Sequence, residues 1–443
     1  MKRRLFALAL ALLLAVSLPV SALARDWYID DGDITISATE IGQTVSQGNT
    51  TEADDAPVIK QRDSSNSTDK VIKVIAEKDA TANVTLDGVN IDTSKNGMTG
   101  RDQAALRTEG DGDVNIELDG DNYLKSSFAS HAAGLNKGNS GTLTINDEDN
   151  SGKLEATGGY GGAGIGGGYD SSTSDITITG GTITARGSNS GAGIGGGNHG
   201  NGSNITISGG DVTAIGSVYA AGIGGELDGS NITISNGKVT AIGGDQGGAG
   251  IGGGFWYSGS DITISGDAQV KSQGGTSNDY TGAGAGIGNG GTRDENEAGE
   301  KVLVDGVEVE PDTSGLTENG RLEYYAPGAD MENDAPKKVI ENKPETEPEP
   351  SGDHAQPGAP APVYSVTDKG GNAVSYTAAR EGGVLTIRVD AAYARLTLTA
   401  DEAQALTAQG VEKVVFITTG ATSAFRPADL TAYKDEPPFV LTH

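Results

Sequence analysis

The sequence has no cysteine. That absence excludes disulfides, thiolate nucleophiles and Cys-ligated metal centres, so a chain of 443 residues must be held by a packed core or by bound ions. Basic side chains are scarce beside acidic ones, 31 against 61, for a net charge of −30. A surface of that sign repels phosphates, which makes nucleic acid an unfit partner, and it keeps an exported protein soluble. Aromatic residues are only 5% of the chain. Long apolar runs are missing except one, Leu5 to Val20. It follows Lys2, Arg3 and Arg4 and precedes Ala22-Leu23-Ala24. This is the layout of a secretory signal peptide, residues 1–24, with cleavage expected after Ala24. The run is short for a membrane span, and no charged stop-transfer segment follows it. Removing it leaves 28 basic against 61 acidic residues, a net charge of −33. The mature chain is therefore expected to be secreted and extracellular, with no membrane insertion.

Glycine, by contrast, is abundant at 70 residues. There is no Gly-X-Y period, which excludes collagen. The glycines belong to a repeat instead. Ala163-Gly164-Ile165-Gly166-Gly167 recurs from Ala192, Ala221 and Ala249, with a degraded copy at Ala285-Gly286-Ile287-Gly288 and weaker ones at Ala133-Gly134-Leu135 and Ala105-Leu106. The steps between these alanines are 28, 30, 29, 29, 28 and 36 residues. Each copy is followed by an alternating segment: Asp175-Ile176-Thr177-Ile178, Asn204-Ile205-Thr206-Ile207, Asn231-Ile232-Thr233-Ile234, Asp261-Ile262-Thr263-Ile264. A third alternating piece, Thr182-Ile183-Thr184-Ala185 and its relatives at Val212 and Val239, comes after a glycine corner. Alternation means strands with one buried face, and a period near 29 residues means stacked coils. A β-sandwich of hairpins fails on the fixed phase between the three strands. The predicted class is all-β: a right-handed parallel β-helix with about 29-residue coils, followed by a flexible linker and a small α+β module. Ala163, Ile165, Ile176, Ile178 and Ile183 with their equivalents would point inward as columns. The extra residues of the last step fall in a loop from Ser272 to Gly284.

The segments Val84 to Asp92 and Gly141 to Ile145, with the repeated GAGIGGG and DITITGGTITA, resemble a family of exported parallel β-helix proteins of Gram-positive and gut bacteria, often called carbohydrate-binding domain proteins. The resemblance spans roughly Val71 to Tyr325. More distantly it reaches calcium-dependent polysaccharide-binding β-helices related to pectate lyases. It implies glycan binding at the cell surface, and it assigns no ligand-binding residue here.

Residues 25–79 are expected to begin and cap the stack, 80–325 to form the β-helix, and Val302 to Val309 with Arg321 to Tyr325 to close it. Residues 326–362 form an acidic, Pro-rich linker; Glu341 to Pro362 alone holds six of the fourteen prolines. Residues 363–443 form the α+β module. Its strands are expected at Val384 to Val389 and Lys413 to Thr418. A capping box of Thr399 and Glu402 opens a short helix that Gly410 can end.

No catalytic constellation is visible. The basic residues of the regular coils, Arg186, Lys238 and Lys271, lie at scattered phases, and no carboxylate pair is singled out. The protein is therefore expected to be non-catalytic, with a polysaccharide lyase-like enzyme as the weaker alternative. The scarce aromatics give the candidate binding site. Phe255-Trp256-Tyr257 follow one glycine run; Tyr169 and Asn198-His199 hold the matching position in earlier coils, and Tyr160 and Tyr219 precede the motif in theirs. On one loop edge, over three coils or about 14 Å at the 4.8 Å strand spacing, such rings suit a polysaccharide or surface glycan. The alternatives are that they plug loops in a structural or adhesive protein, or meet other surface proteins. The outward Thr ladders and the Asp175, Asn204, Asn231, Asp261 column are expected to be structural. Calcium is the one candidate ion, at Asp111 and Asp113 and at Asp119 and Asp121, because Ca²⁺ prefers several oxygens on flexible loops. A third Asp-rich loop lies at Asp30-Asp31-Gly32-Asp33, and none of these fits an EF-hand.

Overall fold

The structure is a computed structural model that describes residues 25–96, 103–278, 280–295, 301–341 and 364–442 except 368–373, 375, 390, 392–393, 419–420 and 432–438. The expected signal peptide and the linker from residue 342 lie outside the described residues. The chain forms two compact units, residues 1–347 and 348–443.

The first unit is a parallel β-solenoid. A regular coil holds three strands, for example Ile194–Gly195, Gly202–Ile207 and Asp211–Ile215. Alternation decides which side chains turn in: Ile205 and Ile207 are buried, and Thr206 between them is partly exposed. Each strand then pairs in parallel with its copy in the next coil. Ile176 faces Ile205, which faces Ile232, which faces Ile262. These four, and the column Ile165, Ile194, Ile223, Ile251 and Ile287, are at most 3% exposed. The coils build three sheets of nine, nine and eleven strands around one continuous core that runs from Trp27 to Tyr324. Burying each isoleucine contributes about 1.5–3 kcal/mol, so the ladder of inward side chains supplies the cohesion that disulfides do not.

The stack begins at residue 26, where Asp26–Tyr28 pairs in parallel with Val58–Lys60. An antiparallel ribbon of Ile34–Thr39, Gly42–Gln47 and Thr50–Ala53 extends the sheet at that end. At the other end Arg321–Tyr325 pairs with Gln269–Gln273, as the sequence suggested. Lys301–Val304 does not join the stack. It forms a two-stranded hairpin with Thr292–Glu295, and Val304 and Val307 are exposed, so of the closing segment expected at Val302 to Val309 only the end meets the last coil, through a bridge at Glu308 and the Val309 amide on Ile287 O, with further bridges at Asp312 and Leu316. The chain expected to be linker from residue 326 makes one more strand first: Lys338–Glu341 lies antiparallel to Arg321–Tyr325.

Two corners explain the composition. Gly166, Gly195, Gly224 and Gly252 have φ near +130°, and a Cβ on any of them would run into the carbonyl of the corresponding glycine one coil on. Asp175, Asn204, Asn231 and Asp261 all take left-handed φ, between +51° and +59°. Asn and Asp tolerate that region better than other side chains, because their short polar groups bond locally. Here they also bond one another: Asn204 Nδ2 donates to Asp175 Oδ1 at 3.0 Å, and Asn231 Nδ2 to Asn204 Oδ1 at 2.7 Å.

The second unit has its own core around Ile387, Leu396, Leu406 and Phe416. Val384–Arg388 and Lys413–Ile417 pair in parallel and are flanked by antiparallel neighbours. The helix Ala400–Ala408 carries the expected capping box: Glu402 N donates to Thr399 Oγ1 and Thr399 N to Glu402 Oε2. Gly410 follows it with φ +82°.

The Asx ladder yields a test. Asn204→Ala forces an ordinary side chain into the left-handed region and is expected to cost about 1–2 kcal/mol in urea unfolding. Asn204→Gly, which accepts that φ and loses only the ladder bonds, is expected to cost less. Equal losses would mean that the left-handed corner is not what selects these residues.

Candidate functional site

The aromatic edge is built from the loops on either side of each Ile-Gly strand. Three of the loops that follow that strand share one conformation. The first residue of each pair, Tyr169, Asn198 or Phe255, donates its amide to a neighbouring loop: to His131 O at 2.8 Å, Gly161 O at 2.6 Å and Tyr219 O at 2.8 Å. The second, Asp170, His199 or Trp256, has left-handed φ of +57°, +56° and +72°. The equivalence read from spacing therefore holds in the backbone.

The rings form two groups. Tyr169 packs edge-on to His131 at 5.4 Å and to His199 at 5.5 Å, and lies 6.0 Å from Tyr160, which meets Phe128 at 4.9 Å. Phe255 lies 5.6 Å from Tyr219 and stacks on Trp256 at 5.0 Å with 18° between planes. Trp256 is nonetheless 60% exposed, and Tyr257 beside it is exposed as well. Glycine makes this packing possible, since a Cβ on Gly161 would strike the Tyr169 ring. His199 Nδ1 meets Asp170 Oδ1 at 2.8 Å. Asn198 is partly exposed beside them. Phe128 and His131 were not singled out in the sequence, because their coil lacks the regular motif.

Between the two groups the repeat breaks. From Ile165 to Ile176, Ile194 to Ile205 and Ile251 to Ile262 the chain advances eleven residues, but from Ile223 to Ile232 only nine. The shortened loop carries no left-handed pair. In the same coil the last glycine of the motif, Gly168, Gly197 and Gly254 elsewhere, is replaced by Glu226. Glu226 is 9% exposed, and its Oε2 accepts the backbone N–H of His199 at 2.9 Å. Oε1 has no described protein partner, and it is not among the sealed, unpartnered polar atoms of the described residues. Burial raises the Glu226 carboxyl above its ordinary range, against the pull of the His199 amide and ring. The signal was in the sequence, as AGIGGE among copies of AGIGGG.

The candidate calcium residues do not come together as one site. Asp113 and Asp119 stand at opposite ends of the strand Asp113–Asp119, about 20 Å apart. Asp111 accepts from Ser140 Oγ and Asp113 from Thr142 N. Asp121 pairs in register with Lys153. Among the described residues no group of three or more His, Asp or Glu is placed to hold a metal ion. Asp119 does line a shallow cavity of about 520 Å³ on the outer face of one sheet, with Glu117, Glu148, Asp149, Asn146 and the stacked pair Asn83 and Asn115. Burial and the neighbouring carboxylates raise both Glu117 and Asp119. On another sheet Lys238 and Lys271 line a smaller cavity with Arg321, Asp211 and Glu323, at different register positions, and Arg186 is not part of that lining.

A protein-family model described as a beta helix repeat matches residues 150–169, 176–198, 205–229 and 232–255. Those stretches lie in the coils that carry the aromatic edge, and the match agrees with the solenoid. No curated protein and no solved structure matches the chain.

The acidic cavity gives a prediction with a definite sign. The folded-state value of Glu117 lies above the unfolded one, so its charge destabilises the fold at pH values above the carboxylate range, and protonation removes that effect. Glu117→Gln keeps the acceptor for the Glu148 amide. It is expected to raise the thermal midpoint at pH 7, with the gain shrinking as pH falls through the folded value toward and below 4.5, the ordinary value for Glu. A gain independent of pH would contradict the assignment.

Proposed function

We propose that this chain is an exported, extracellular β-helix that binds a polysaccharide or cell-surface glycan along its aromatic edge without cleaving it. The observation that carries the reading is the exposed Trp256 ring, held flat on Phe255 by loops whose amides are tied to neighbouring coils. A ring that is both exposed and fixed has already lost its rotamer freedom, so stacking on the apolar face of a sugar costs little further ordering. Tyr257, Tyr169, Asn198, His199 and Asp170 add rings and hydrogen-bonding groups on either side. An edge that carries these groups on three of four successive coils spreads them along the stack, which suits a chain-like ligand better than a small molecule. Export rests on the basic and apolar start of the sequence. The non-catalytic assignment rests on the sequence of the regular coils, where no carboxylate pair and no nucleophile-base constellation is singled out. Calcium enters as a counter-ion for the acidic sheet face around Asp119, and glycan stacking does not require it.

Trp256→Ala combined with Tyr257→Ala removes two rings worth roughly 0.5–1.5 kcal/mol each. Retention on an insoluble polysaccharide that holds the wild type is expected to fall by about tenfold, with the circular dichroism unchanged. Undiminished retention would refute the site. Release of reducing or unsaturated ends by the wild type would refute the non-catalytic assignment.

A further inference from the structure

Glu226 uses one of its oxygens structurally: the equivalent amide elsewhere donates to a carbonyl one coil on, as Asp170 N does to Asn198 O, and Glu226 Oε2 takes that place for His199 N, which leaves Oε1 over. Every other regular coil places glycine there, and the solenoid closes on it without difficulty. A buried carboxylate costs stability unless it is fully paired, and only one Glu226 oxygen has a described partner. Its accommodation also coincides with a loop shortened by two residues, which omits the pair that would otherwise continue the ridge from His199 to Trp256. The two departures fall in one coil, between the two ring groups. A Cβ on Gly254, the residue before Phe255, would strike the Glu226 backbone carbonyl, so the Glu226 main chain runs beside the Phe255 loop while its carboxylate reaches the His199 amide one coil back.

We propose that Glu226 anchors a sugar unit that carries a free amino group. This rests on the reading that the edge binds polysaccharide, and it specifies the ligand. An ionised carboxylate only accepts hydrogen bonds, so the open position at Oε1 calls for a donor. An ammonium is the strongest such donor, because a bond between two charged groups is about twice as strong as a neutral one. A hydroxyl would fill the position more weakly. A uronate or sulfate would meet Glu226, the exposed Asp170 and a chain of net charge −30 as like charge. The neighbouring rings supply the stacking face, so one sugar unit can rest on an aromatic side chain while its amino group reaches the carboxylate.

The test is calorimetric titration of the full chain with a glucosamine hexasaccharide, its fully N-acetylated form and the corresponding glucose hexasaccharide. It is run at about 0.5 M salt to screen the attraction of a cationic sugar to an acidic protein. The free-amino form is expected to bind about tenfold more tightly than the other two. Glu226→Gln should abolish that preference and leave the weaker binding of the neutral sugars in place. Glu226→Gly, which restores the residue of the other coils, should do the same and guards against a folding defect. Glu117→Gln removes one charge elsewhere and should leave the preference intact. Equal binding of the three sugars, a preference that survives in both Glu226 variants, or one lost equally in Glu117→Gln would overturn the proposal while leaving the edge as a glycan site. Failure of all three sugars to bind, with wild-type retention on polysaccharide also absent, would overturn the underlying reading.

Discussion

Parallel stacking in register puts every residue beside its counterpart in the next coil, about 4.8 Å away. A position is then acceptable only if its side chain can lie against a copy of itself. Inward isoleucines meet that condition by packing into continuous columns, and threonines meet it on the solvent face. Where backbone approaches backbone at the Ile-Gly strands, only glycine meets it, because any Cβ at Gly195 would enter the carbonyl of Gly224. The high glycine content and the stability of a cysteine-free chain follow from this one constraint.

Charge obeys the same rule less comfortably. Asp87 stacks on Asp119 in register, and Lys60 beyond them offsets one of the two by pairing with Asp87. Burial, and after it the carboxylates nearby, raises the proton affinity of Glu117 and Asp119, and for Asp119 those carboxylates include its register neighbour Asp87. Amide side chains escape the conflict because each can donate to one neighbour and accept from the other, as Asn204 does between Asp175 and Asn231. The two Asn between the Asp residues at either end of that column therefore keep the carboxylates apart while keeping the left-handed corner.

The coils were legible because they repeat. Period and alternation place Ile176, Ile205, Ile232 and Ile262 inward without any knowledge of contacts, and Thr399 with Glu402 marks the helix start by local chemistry alone. What does not repeat was harder to read. Val302 to Val309 alternates like a strand, yet local pairing with Thr292–Glu295 draws its first residues out of the stack. Phe128 and His131 join the aromatic group through space from a coil without the motif. The candidate aspartates were read as two loops, and the seven-residue strand from Asp113 to Asp119 keeps those loops at its opposite ends. Glu226 was visible as a broken glycine motif, but its burial and its bond to the His199 amide belong to the fold. In a repeat architecture the informative residue is the one that departs from its column, because the column already records what stability demands.

The edge as a glycan site is the claim on which the functional account stands, and the chain carries its own probe. Its two tryptophans differ sharply: Trp27 is 4% exposed, with its ring nitrogen bonded to Asp54, and Trp256 is 60% exposed. Acrylamide quenching of intrinsic fluorescence therefore reports mainly on the edge. With saturating glucosamine hexasaccharide, or with a soluble polysaccharide that retains the protein, the quenchable fraction is expected to fall toward that of the buried Trp27 alone. Quenching that stays unchanged while the sugar is demonstrably bound would place the ligand elsewhere on the solenoid and contradict the account.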